Sequence, residues 1–303
     1  MDHAGLIASL TAEERQRLTA TSNSAGLWHL AGHLGLIALT GTWIALGWPL
    51  WQAVVVVHGV ALVFLFTLEH EATHKTPFRS AWLNEAAGHL AGLVLLLPFQ
   101  WFRLFHMAHH RHTNDPARDP ELAGPRPDTW PRFLLYTSGL PYWRAMAAVV
   151  VENAFSTPDA PYLTRRARPA LQREARVYLA LYALVLASLV VSPLAFWLWM
   201  LPALLGQPFL RLYLLAEHGR CPPVANMLEN SRTTFTNRAV RFLAWNMPYH
   251  AEHHAYPAVP FHQLPAFHAR ARAHLRTTSE SYAAFVEDYV DDLPCTPLTA
   301  ASR

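Results

Sequence analysis

Eighteen histidines in 303 residues are many for this length, and eight of them recur at spacings that can do chemistry. His70 and His74 stand at i and i+4. His106, His109 and His110 stand at i, i+3 and i+4, and His250, His253 and His254 repeat that pattern. On a helix these spacings put each group on one face, within reach of a shared ion. His218, beside Glu217, adds a ninth. A lone histidine is usually a packing or surface residue, but three clusters near membrane exits argue for a metal site. Imidazole suits zinc, iron, copper and nickel. A closed zinc site takes four ligands and an open one three, so eight or nine imidazoles exceed one zinc and match two ions. A pair of iron ions can use dioxygen to attack an unactivated C–H bond, which would suit a site at a membrane surface where a lipid chain can be drawn down.

Neighbouring residues have expected roles as well. Asp115, Asp119, Glu217 and Glu252 are candidates to accept the outer N–H of a ligating imidazole, and Glu71 a further supporting group. His112 is expected beside the ligands or on the surface, and Asn114 and Asn246 to cap or orient the boxes. His70-Glu71-Ala72-Thr73-His74 also satisfies the zinc-protease pattern His-Glu-x-x-His, with Glu71 as base. An intramembrane zinc protease is thus a remote alternative, but it leaves both His-x-x-His-His groups unexplained. Replacing Glu71 with Gln should abolish a protease and only weaken an oxygenase. His29, His33 and His58 lie in apolar runs, where hydrogen-bonded packing is favoured. His262, His268 and His274 read as surface residues.

The elements that must position these side chains follow from charge. Only 15% of residues are Asp, Glu, Lys or Arg, against about 25% in a soluble domain. Residues 18–68 and 177–210 carry none. That excludes an ordinary globular enzyme, a disordered chain and a nucleic-acid binder. At about 20 residues per crossing, the two runs give four spans at residues 25–46, 50–69, 176–191 and 194–217, turning at Gly47-Trp48-Pro49 and Ser192-Pro193. The eleven arginines from 103 to 176 place that stretch, and both termini, in the cytoplasm. The apolar stretch 90–99 is too short to cross and reads as re-entrant or interfacial. A true crossing there would put His70 and His106 on opposite sides.

The expected fold is therefore an all-α membrane protein: two transmembrane hairpins, a re-entrant or interfacial segment, and a cytoplasmic helical cap with the histidine regions 70–175 and 218–293. One domain over 1–303 suffices. Thr11 and Glu14 suggest a capping box before the first span. Residues 134–155 read as surface helices broken at Pro141, with further helices at 265–276 and 280–292 and fraying after Pro294. Trp43, Trp48, Trp51, Trp197 and Trp199 suggest an interfacial belt. Glu13 and Glu14, with no basic start before an apolar run, argue against a signal peptide, and Cys221 and Cys295 give no disulfide framework.

The boxes resemble those of the membrane fatty acid desaturase superfamily of di-iron oxidoreductases, which includes acyl desaturases, hydroxylases and carotenoid-modifying enzymes. The resemblance rests on His70 to His74, on His106-Met107-Ala108-His109-His110-Arg111-His112-Thr113-Asn114, and on Asn246-Met247-Pro248-Tyr249-His250-Ala251-Glu252-His253-His254-Ala255-Tyr256-Pro257. With the helical hairpins it covers about residues 43–264. It implies that the nine histidines hold two iron ions, that dioxygen oxidises a lipid or acyl substrate, and that acyl desaturation is the reaction. Hydroxylation or ketolation of a lipid or carotenoid is the alternative. No Cys₄ iron–sulfur pattern, haem-domain signature or Gly-rich dinucleotide motif is present, so a separate donor is expected, a ferredoxin or a cytochrome with its reductase. In the stearoyl-type relatives an Asn one turn before the isolated histidine holds a water on one iron. Leu214 stands there, which implies a purely histidine-ligated site.

Overall fold

A computed structural model describes residues 1–294; Cys295 and the tail expected to fray lie outside the described residues. Two short helices, α1 (His3–Ser9) and α2 (Ala12–Leu18), come first. The second opens on the expected capping box, Thr11 Oγ1 accepting from Glu14 N at 3.1 Å and Glu14 Oε2 from Thr11 N at 2.9 Å. The first apolar run forms α3 (Asn23–Ala45), turns, and returns as α4 (Trp51–Val63) and α5 (Leu65–His74). Then follow α6 (Ala81–Leu95), α7 (Phe99–His112), α8 (Trp130–Thr137), α9 (Leu140–Phe155) and α10 (Arg168–Ser188). The second run ends in α11 (Leu201–His218), entered through a π-helical turn at Phe196–Met200. Five shorter helices complete the order: α12 (Met227–Asn230), α13 (Arg238–Leu243), α14 (His250–Ala255), α15 (Leu264–Ala271) and α16 (Tyr282–Asp291). One departure from an all-α chain is a parallel pair, β1 (Thr233–Thr234) with β2 (Thr278–Ser279). The break expected at Pro141 falls at Gly139, whose φ of 72° ends one helix, while Pro141 sits in the first turn of the next.

Among the described residues two helices are long and apolar enough to cross a membrane, Trp51–His74 and Phe196–His218, or three if α6 and α7 are one broken span. The expected boundaries shift accordingly. The span expected to close at residue 69 runs on to His74, because the boxed histidines continue the helix. The one expected at 176–191 starts at Arg168 and ends at Ser188, taking Arg168, Arg173, Glu174 and Arg176 into its early turns. Those charges, and the polar residues and glycines of α3, are why neither helix meets the same apolar standard. Apolar side chains nonetheless face outward, with Trp28 80% and Val190 and Val191 each 90% exposed, as a lipid-facing surface requires.

Two packing features bring the histidine-bearing ends together. Gly59 on α4 and Gly206 on α11 let the two apolar helices touch backbone to backbone: a Cβ at Gly59 would fall 2.0 Å from Pro202 O. The α6–α7 run bends by 98° at Leu96-Leu97-Pro98, where Pro98 supplies no N–H. Glu174 of α10 then accepts from Gln100 N at 3.0 Å, an anion placed on the start of α7. His106 on the far arm thereby returns to within 2.9 Å of His74, Nε2 to Nε2, so the segment does not carry the two boxes to opposite sides. The histidines in the apolar helices are packed and bonded as expected: His33 Nε2 meets Ala61 O at 2.8 Å, and His58 meets Thr40 Oγ1 and Leu198 O at 2.7 and 2.9 Å.

Candidate metal centre

Four chain segments deliver imidazoles to one place. The last turn of α5 carries His70 and His74 and stops at Lys75, whose φ of 62° ends the helix. The second half of α7 carries His106, His109 and His110, α11 ends on His218, and the short buried helix α14 carries His250, His253 and His254. The ring nitrogens sort into two groups. One nitrogen from each of His70, His74, His106, His110 and His253 lies within 4.8 Å of all the others, and so does one from each of His109, His218 and His254. His250 joins the second group, with Nε2 2.9 Å from His218 Nε2 and its ring 4.5 Å from that of His254. Within the first group, His70 and His253 face each other Nε2 to Nε2 at 2.7 Å, and His253 and His110 at 3.2 Å.

The outer nitrogens explain why the Nε2 atoms point inward. His109 Nδ1 donates to Asp119 Oδ1 at 2.9 Å, and His218 Nδ1 to Asn230 O at 3.2 Å. His254 Nδ1 is 3.2 Å from Thr113 Oγ1. Glu217 Oε1 lies 3.2 Å from His250 Nδ1 and Glu71 Oε1 3.7 Å from His253 Nδ1, each facing an outer nitrogen without closing a hydrogen bond. An Nδ1 that keeps its proton leaves the Nε2 lone pair free to bind a metal. Burial, then the neighbouring imidazoles, holds His250, His253 and His254 well below the ordinary imidazole range, so they are neutral, the form in which a histidine can bind a metal. Burial alone would raise the Asp119 carboxyl. The hydrogen bonds from His109 and from the N–H groups of Glu121 and Asn114 outweigh it and keep Asp119 ionised.

These residues fit metal ions. Neutral lone pairs crowded nitrogen to nitrogen in a buried space lack enough protons to bond one another, and His254 Nε2 has no partner among the described residues. A cation in each group resolves both problems, and an all-imidazole donor set is one that transition metals accept. Beside the second group opens a cavity of about 1260 Å³ whose wall includes His218, Leu214 and Leu215.

Not every expected neighbour takes its expected place. Asp119, Glu217 and Glu71 face outer nitrogens, whereas Asp115 turns to Arg118 and Ala117 N, and the ring of His112 makes no hydrogen bond among the described residues. Asn114, at φ 58°, donates to Asn230 O at 2.6 Å and receives Asp119 Oδ2 on its N–H at 2.8 Å; it braces the supports of His218 and His109. Asn246 donates to Phe261 O at 3.0 Å, and Phe261 N donates to Glu71 Oε2 at 3.1 Å. Glu252 faces no box imidazole; it binds Thr233 Oγ1 and the ring of His268. His268, expected at the surface, is correspondingly drawn in and stacks on Tyr249 at 4.5 Å. Its spacing from the boxes carries no signal, nor does that of Thr113 or Asn230. Glu71 Oε2 also accepts from Thr76 Oγ1 at 2.9 Å, a placement that does not suit a base acting on a metal-bound water.

The fatty acid desaturase family matches the chain over residues 45–286. The chain belongs to that family. Its members are oxidoreductases, and this desaturase-family chain is similar to several named ones. It is 36% identical over 93 residues to the sn-1 oleoyl-lipid 12-desaturase of Synechocystis sp., covering 29% of this chain and 24% of that one. It is 26% identical over 86 residues to the sn-1 acyl-lipid omega-3 desaturase (ferredoxin) of Nostoc sp., covering 28% and 24%. A longer match, 27% identical over 265 residues, joins it to the dihydrorhizobitoxine desaturase of Bradyrhizobium elkanii, covering 79% and 73%. The chain thus spans about a quarter of the length of the acyl-lipid desaturases it matches.

Proposed function

We propose that this chain is a membrane-embedded, dioxygen-dependent desaturase acting on a lipid acyl chain at a pair of iron ions. His70, His74, His106, His110 and His253 would hold one ion, and His109, His218, His250 and His254 the other. The observation that supports this is the convergence of nine histidines from four segments as two groups of inward-facing nitrogens. Iron bound there supplies the one-electron chemistry and dioxygen activation that an unactivated C–H bond requires. The chain's own part is to hold the α14 imidazoles neutral by burial, fix tautomers through Asp119, Asn230 and Thr113, and keep bulk water from the buried α14. The cavity beside His218 receives the substrate. The names of the relatives favour desaturation over hydroxylation, and the ferredoxin in one of those names is the kind of separate electron donor proposed here.

The test is expression in a host of known lipid composition, followed by mass spectrometry. Loss of two hydrogens from a lipid is the expected result. Gain of one oxygen would make the enzyme a hydroxylase, and an unchanged lipidome would overturn both. Two irons per purified chain are expected; one zinc and no iron would sink the iron-pair assignment.

A further inference from the structure

The cavity beside His218 contains a charge that no ion pair or hydrogen bond holds among the described residues. Arg211 lies on α11 seven residues before His218, inside the candidate span Phe196–His218, and lines the cavity. Its guanidinium carbon sits 4.5 Å from the ring centre of Tyr142 and 6.0 Å from that of Tyr136. Tyr142 is itself fixed, donating its hydroxyl to Leu95 O at 2.9 Å. The rings attract the cation but leave its in-plane N–H donors unused, and Nε has no partner among the described residues.

Two of the three acids of the cavity wall are already engaged, Asp128 with Arg132 at 2.8 Å and Asp292 with Arg220 at 2.6 Å. The third, Glu121, lies in the field of Arg211 but forms no ion pair with it. No ion pair holds Arg126, Arg144 or Arg211 among the described residues, so the cavity is left with surplus positive charge. A charged side chain inside a span persists where it has a functional partner. A guanidinium offers a planar fork that suits a carboxylate or phosphate.

We propose that Arg211 anchors an anionic oxygen group of the substrate, a carboxylate or a phosphate. The anchor lies two helical turns, about 10 Å along the axis, from His218. This makes Arg211 a specificity-determining residue: it selects acidic-headed molecules and fixes the distance between head and attacked carbon. The inference rests on the desaturase reading for the reaction but not for the binding.

The test uses the iron-loaded protein in nanodiscs of neutral lipid, titrated calorimetrically with octanoate, octyl phosphate and octanol. Both anions are expected to bind more tightly than the alcohol. Arg211→Gln should remove roughly 10- to 100-fold of anion affinity, leaving octanol binding and iron content unchanged. Arg211→Lys should restore part of it. Tighter binding of octanoate would identify a free acid, and of octyl phosphate a phospholipid headgroup. Equal affinity for all three probes in the unaltered protein would overturn the proposal, as would an Arg211→Gln protein that keeps the preference. If Arg211→Gln does not fold, the three-probe comparison and Arg211→Lys still decide the matter. An anion preference in a protein that oxidises no lipid would leave the anchor standing and remove the desaturase reading. Product without the preference would remove the anchor alone.

Discussion

At the scale of single residues, Asp119 shows how much of the centre depends on groups that never touch a metal. It bonds His109 Nδ1 through both oxygens, at 2.9 and 3.1 Å, and is tied down in turn by the N–H groups of Asn114 and Glu121. Asp119→Ala leaves His109 free to rotate, and losses of about 10- to 100-fold in metal affinity or activity follow from removing such supports. Iron should therefore fall toward one per chain, because the five-histidine group does not share this support; metal analysis of the purified variant checks it. Asp119→Asn keeps an acceptor and should lose less. Glu71→Gln tests the opposite end of the range. Its bonds from Thr76 and Phe261 survive in a carboxamide, so lipid product should drop by less than about tenfold. Complete loss would revive the zinc-protease reading of His70-Glu71-Ala72-Thr73-His74. Eight of the nine histidines were legible because helical spacing is local, whereas His218 has no partner at such spacing and came from its place at a span exit and from the resemblance. The pairing of Glu252 with His268 was not, since those two residues meet only through the packing of α14 on α15.

Elements position the residues, and at that scale the crossing of α4 and α11 is the constraint. Gly59 and Gly206 leave no space for a side chain: a Cβ on Gly206 would fall 2.3 Å from Gly59 O. Gly59→Val must push the helices apart, and overpacking of this kind costs about 1–3 kcal/mol. Because α5 continues α4 while α11 ends on His218, the same displacement separates His70 and His74 from His218. The variant should unfold at lower temperature in detergent and also bind less iron, and a mutant that melts earlier with full iron would contradict that linkage. Charge counting found these helices but misplaced their ends. It stopped α10 at the first charge, whereas Glu174 is held inside the protein by Gln100 N and His89, so the helix runs on to Arg168. Arg211 was overlooked for a related reason: it falls one residue past the charge-free run, yet inside the helix that the run begins.

For the whole molecule, orientation follows from which ends of the long helices carry histidine. Trp51–His74 has 24 residues and Phe196–His218 has 23, so each is about 35 Å long, enough to cross the roughly 30 Å apolar core. His74 and His218 end these helices in the candidate metal centre, so the turns at 46–50 and 189–195 lie at their opposite ends, on the far side if both helices cross. Tryptophans gather there: Trp43 meets Trp48 and Trp51 meets Trp197 edge to face, at 5.6 and 5.2 Å, while Trp199 turns inward to bond Val94 O. Four of the five expected belt residues thus gather at one end of the long helices, where the proposed topology puts an interface. On the proposed orientation the arginines of 156–176 belong to the histidine side, which the positive-inside rule predicts to be cytoplasmic. Reporter fusions settle this directly. Insertions at 156–167 and fusions to the N-terminus should give cytoplasmic signal, and insertions at 189–195 should give signal from the opposite side. Cytoplasmic signal at 189–195 would mean that α10 and α11 dip into the bilayer without crossing it. In that case only the histidine end of the four-span arrangement would stand.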